Sequence, residues 1–64
     1  MARAGADSLT PSELRIAEMA AGGMSNPQIG QALFITRNTV ETHLRHVYQK
    51  LGIRRREDIA ETLT

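Results

Sequence analysis

A chain of 64 residues holds one domain with a small core, near the lower limit for folding without disulfides or metal. It has no cysteine, which excludes disulfide staples and thiolate metal sites and suits a cytoplasmic location. No apolar run approaches the roughly 20 residues of a membrane helix, so no membrane partner is expected. The net charge of +1 hides a polarised distribution. Between Arg37 and Arg56 stand six basic residues (Arg37, Arg45, Lys50, Arg54, Arg55, Arg56) against one acid, Glu41. The other 44 positions carry two basic residues against six acids. Such polarisation suits a polyanionic partner.

Residues 1–8, MARAGADS, lack the apolar stretch of a signal peptide and read as a disordered arm or the cut edge of a larger protein. The domain is then 9–64. Strand-type alternation is absent, and helix punctuation is dense. Thr10-Pro11-Ser12-Glu13 is a capping box with proline at the first helical position. It opens a helix whose Ile16, Ala17, Met19 and Ala20 face a core, ended by Gly22-Gly23. Ser25-Asn26-Pro27-Gln28 opens a second, short helix with Ile29 and Leu33 inward. Gly30 inside it costs about 1 kcal/mol relative to alanine, which close approach of a neighbouring helix would justify. A turn over Phe34 to Thr36 leads to a third helix capped by Thr36. From Arg37 to Leu51, Val40, Leu44, Val47, Tyr48 and Leu51 form one apolar stripe. Asn38, Glu41, Thr42, Arg45 and Gln49 lie opposite, with Thr39, His43, His46 and Lys50 on a flank; Gly52 closes the helix. A fourth helix spans 57–63, with Glu57 and Asp58 at its positive end and Ile59, Ala60 and Leu63 as its apolar residues. The fold class is all-α: a compact four-helix (tetrahelical) domain.

Two helices joined by a tight turn, the second longer and polar on one side, fit a helix-turn-helix. Such a second helix buries one stripe and projects the other into the major groove of double-stranded DNA. Arg45 can donate two hydrogen bonds to guanine, Thr42 offers a hydroxyl and a methyl, and Gln49 or Asn38 can reach backbone or base. Arg37, Thr39, His43, Lys50 and the run Arg54-Arg55-Arg56 are candidates for phosphate. Glu41 is repelled by phosphates unless it accepts from a cytosine amino group or pairs with Arg37 or Arg45 one turn away.

Other chemistry finds little footing. His43 and His46 have helical spacing but no further ligand to complete a metal site, and neither a nucleophile-and-base pattern nor a glycine-rich phosphate loop is present. No cofactor, metal or catalysis is expected. The third-helix stripe is too short for a coiled-coil seam. The rival reading is a helix-turn-helix fold used as a protein–protein interaction module, toward which Glu41 and the modest net charge lean.

Leu9-Thr10-Pro11 with Glu13, Gly23-Met24-Ser25-Asn26, Gln28-Ile29-Gly30, Leu33, Thr39-Val40-Glu41-Thr42-His43-Leu44 and Lys50-Leu51-Gly52-Ile53 together resemble the LuxR/NarL (GerE-type) DNA-binding domain. The similarity is greatest to C-terminal domains of large ATP-binding regulators of the LuxR class. It implies a third helix in the major groove and a weak homodimer through the fourth helix, stabilised on DNA. A signal-input domain is expected ahead of it. Carried over by position, base contacts fall at Glu41, Thr42 and Arg45, and backbone contacts at Thr39, Lys50 and around Arg37. Val40 becomes the buried pivot, and Ile59, Ala60 and Leu63 the dimer contact. The sequence departs from the family pattern at Glu41, where a basic residue is common, and at Gly30, where alanine is usual. Arg55 stands where a serine or threonine caps the fourth helix, a loss of about 1 kcal/mol. Leu14 replaces a charged residue and is expected to be exposed.

Overall fold

The computed structural model describes residues 8–63, so the arm expected at the N-terminus lies almost wholly outside the described residues. Four helices follow one another: α1 (Pro11–Ala21), α2 (Asn26–Leu33), α3 (Arg37–Leu51) and α4 (Glu57–Leu63). Their starts are set by short polar side chains that satisfy otherwise orphaned N–H groups. At α1 the Glu13 N–H donates to Thr10 Oγ1 at 3.1 Å, and the Thr10 N–H donates to Glu13 Oε1 at 2.9 Å. Ser25 and Gln28 repeat this reciprocal box at α2. Thr36 caps α3 by accepting from the Thr39 N–H at 3.1 Å. By contrast, α4 begins on backbone bonds, Asp58 N–H to the Arg55 carbonyl and Ile59 N–H to the Arg56 carbonyl, both 3.1 Å.

The helix ends are as specific. After α1 the left-handed residue is Gly23, with φ 96°, while Gly22 keeps a negative φ. Gly52 takes the same role after α3 with φ 70°. At the end of α2 the left-handed position falls on Phe34 (φ 60°, ψ 41°), a side chain 94% exposed. Gly30 is explained by close approach, but to the turn rather than to a helix. A Cβ there would lie 2.7 Å from the Ile35 carbonyl oxygen.

Ile16, Ala17, Ala20, Ile29, Val40, Leu44, Val47 and Ile59 form the core, so every helix contributes to it. Met19, Leu33, Tyr48, Leu51 and Leu63 are half-buried against it. The third helix packs on both α1 and α2, and α4 closes the structure against α1. Leu14, expected outside, is half-buried. Glu13, which the sequence marks only as part of a cap, is buried at 5% exposure.

Candidate nucleic-acid interface

Because Val40, Leu44 and Val47 fix one side of α3 in the core, the helix has no rotational freedom, and Asn38, Glu41, Thr42, Arg45 and Gln49 face outward. Arg45 is exposed and has no hydrogen bond or ion pair among the described residues. Its guanidinium is therefore a free planar fork of donors. Thr42 is less versatile than its residue type suggests. Its hydroxyl donates to the Asn38 carbonyl one turn back at 3.0 Å, leaving a methyl and oxygen lone pairs for an outside partner. Glu41 Oε2 lies 3.5 Å from Arg37 Nε, both groups largely in solvent. Such a pair is worth at most about 1 kcal/mol; its consequence is to turn Arg37 toward Glu41 and to offset the carboxylate. Asn26, Glu41, Leu44, Arg45 and Tyr48 line a shallow cavity of about 280 Å³ on this side of α3.

The flank toward α1 carries the remaining groups. Thr39 Oγ1 lies 2.9 Å from Thr36 Oγ1, in the cap of the helix. His43 is half-buried, and its buried Nδ1 has no hydrogen-bond partner among the described residues. Lys50 is engaged inside the protein: its Nζ donates to Glu13 Oε1 at 2.7 Å, and His46 Nδ1 stands 3.8 Å from the other Glu13 oxygen. The Lys50 hydrogen bond, helped by the Thr10 N–H and opposed by burial, holds the Glu13 carboxyl below its ordinary value. Lys50 thus meets any phosphate with part of its charge already spent.

The arginine run divides by residue. Arg54 is exposed and unpaired among the described residues. Arg55 lies 3.8 Å from Asp58. Arg56, counted with its neighbours as a phosphate candidate, is instead an internal tie: its guanidinium donates to the Met24 carbonyl at 2.6 Å and to Asn26 Oδ1. Ile59 also needs correction, because at 0% exposure it belongs to the core and presents nothing to a partner. Leu63 is half-buried against the same core, and Ala60 alone of the three is exposed. Sequence reasoning missed Glu13 and the Arg56–Asn26 link, since the partners stand 37 and 30 positions apart and no periodic pattern joins them.

Two helices joined by a three-residue turn, the second with one side in the core and a free arginine on the other, define a helix-turn-helix DNA-binding domain. The chain belongs to the luxR family of bacterial regulatory proteins, which matches residues 7–63. It is a family of regulators, not of enzymes. An HTH-type transcriptional regulator of Mycobacterium bovis is 43% identical over 54 residues, covering 84% of this chain and 6% of the relative. Like-named regulators from two strains of Mycobacterium tuberculosis match with the same identity and coverage. The chain therefore spans about 6% of the length of these relatives. Among the described residues no helix is long and apolar enough to cross a membrane.

Proposed function

We propose that this domain is the DNA-binding output module of a longer cytoplasmic transcription regulator with a signal-input domain ahead of it. In this reading α3 enters the major groove, Arg45, Thr42 and Glu41 meet base edges, and Arg37, Thr39, His43, Lys50 and Arg54 line the phosphates. The observation that carries it is Arg45: an exposed guanidinium without a partner among the described residues, in the middle of a helix whose reverse side is locked into the core. Two copies pair weakly through the outer side of α4 and are held together by adjacent half-sites.

The test is a fluorescence-anisotropy titration against duplexes enriched from a random library, repeated at several salt concentrations. Log affinity falls linearly with log salt, with a slope of about −0.9 per neutralised phosphate. Arg45→Ala weakens specific binding by about 1–3 kcal/mol and relaxes preference at one base pair. Absence of salt-dependent DNA binding would move the assignment to a protein–protein interaction module. Unchanged affinity in a folded Arg45→Ala protein would remove α3 from the reading role.

A further inference from the structure

From the turn between α2 and α3 we infer that the cleft beside it, with the exposed ring of Phe34 at its edge, is a docking site for an acidic, amphipathic segment of a partner protein. The site stands independently of the DNA reading and shares only His43 with it. A left-handed backbone position favours glycine, and a residue with a Cβ is strained there. Phe34 holds that position with its ring in solvent, so it carries the strain without the burial that normally places an aromatic side chain. The turn cannot relax around it. The Gly30 carbonyl accepts from the N–H groups of both Phe34 and Ile35, and the Ile35 carbonyl lies so close to Gly30 that a Cβ has no room there. The ring is thus presented on a fixed backbone, which lowers the ordering cost of binding. A strained residue that its surroundings hold in place points to function rather than to fold.

On either side of Phe34, Leu33 and Ile35 are half-buried against the core. With Ile16 they form the apolar lining of a cleft of about 280 Å³, which Ser12, Arg15 and His43 complete. Arg15 is exposed and has no hydrogen bond or ion pair among the described residues. Among the described residues no acid lines the cleft, so its charge is cationic. An apolar side chain of the partner fills the cleft, a second covers the Phe34 ring, and a carboxylate between them meets Arg15. A small ligand held inside the cleft would leave the ring in water, and for that reason the occupant is a segment of chain. His43 stands about 200° around α3 from Arg45, so the cleft opens on a different side of the helix from the proposed reading surface.

Short random peptides displayed on phage are selected against the immobilised wild-type domain after depletion on the Phe34→Gly domain. Enriched peptides are then synthesised and titrated without DNA, so the outcome does not depend on the DNA reading. Thermal denaturation checks that each variant is folded. The expected peptides carry Asp or Glu beside bulky apolar residues, and their affinity falls with salt. It drops roughly tenfold for Phe34→Gly and roughly fivefold for Arg15→Gln, and Arg45→Ala leaves it unchanged. NMR shifts concentrate on Ser12 to Ile16 and Leu33 to Thr36, and both cleft variants keep the wild-type affinity for DNA. A selection that enriches nothing, or only peptides without acidic residues, overturns the proposal. So does equal affinity for Phe34→Gly, or a set of shifts centred on Arg45. Self-association of the wild type that Phe34→Gly abolishes would make the occupant a second copy of this chain, and the acidic partner falls. A loss of DNA affinity in folded Phe34→Gly would place the ring against DNA and overturn the docking site while the DNA reading stands.

Discussion

Glu13 shows how much one side chain can do in a small domain. Its Oε1 closes the α1 cap through the Thr10 N–H and accepts from Lys50 on α3, so the start of one helix is fastened to the last turns of another. A carboxyl held below its ordinary value of 4.5 contributes stability above that value and loses it as pH falls through the lowered one. Glu13→Gln preserves the cap acceptor and removes the charge. Thermal denaturation across the acid range is therefore expected to show a flatter pH dependence for the variant, with the largest difference from wild type near neutrality. Superimposable pH profiles would mean that the Lys50 pair contributes nothing. Phe34 poses the opposite case, a side chain without visible benefit to the fold. Its left-handed backbone costs about 1–2 kcal/mol for a residue with a Cβ, and its exposed ring returns no burial. Phe34→Gly removes that strain, offset by about 0.5–1 kcal/mol from the freer unfolded chain. The variant should gain up to about 1.5 kcal/mol, at roughly 4–8 °C of Tm per kcal/mol. A lower Tm would show that the ring packs favourably after all.

The helices begin and end where local chemistry places them. Thr10, Ser25, Thr36 and Gly52 act on neighbours three or four residues away, so their effect is written in adjacent letters; α3 and α4 span the expected 37–51 and 57–63, and α1 and α2 start at the expected caps. Periodicity likewise gave the buried and exposed sides of α3, because Val40, Leu44 and Val47 recur with the turn. Links between elements left no such trace. Lys50 and Arg56 have the composition of phosphate ligands, and only the packing of α3 on α1, and of the α3–α4 connection on α2, reveals that each is committed internally. The one poorly capped element, α4, tests the local rule. Arg55→Ser offers an oxygen to the Glu57 N–H, the first-turn donor that the backbone bonds of Asp58 and Ile59 leave over, and gives up an exposed ion pair with Asp58. The expected gain is up to about 1 kcal/mol, seen as hydrogen exchange in α4 slowed by roughly fivefold. Exchange that stays the same would mean that the backbone bonds already hold this end.

At the scale of the whole molecule, α4 has one side in the core and an outer side to which the proposed function assigns pairing. Ile59 points into a core to which every helix contributes, while Ala60 faces out between Glu57 and Glu61. A domain of this size has stability of about 0.05–0.15 kcal/mol per residue, and truncating a buried isoleucine to alanine removes about 2–5 kcal/mol. Ile59→Ala is therefore expected to unfold much of the population, and any loss of DNA binding follows from that. Ala60→Glu leaves the core intact and adds a negative charge to an already acidic outer side, opposing its counterpart in a second copy. Its melting curve and its affinity for a single half-site should match the wild type, and its cooperativity on a duplex with two half-sites should fall. Sedimentation and anisotropy on one- and two-site duplexes separate the cases. Undiminished cooperativity in Ala60→Glu would place the pairing surface elsewhere than α4. A stable, folded Ile59→Ala domain that had lost only cooperativity would return Ile59 to the interface and contradict its place in the core.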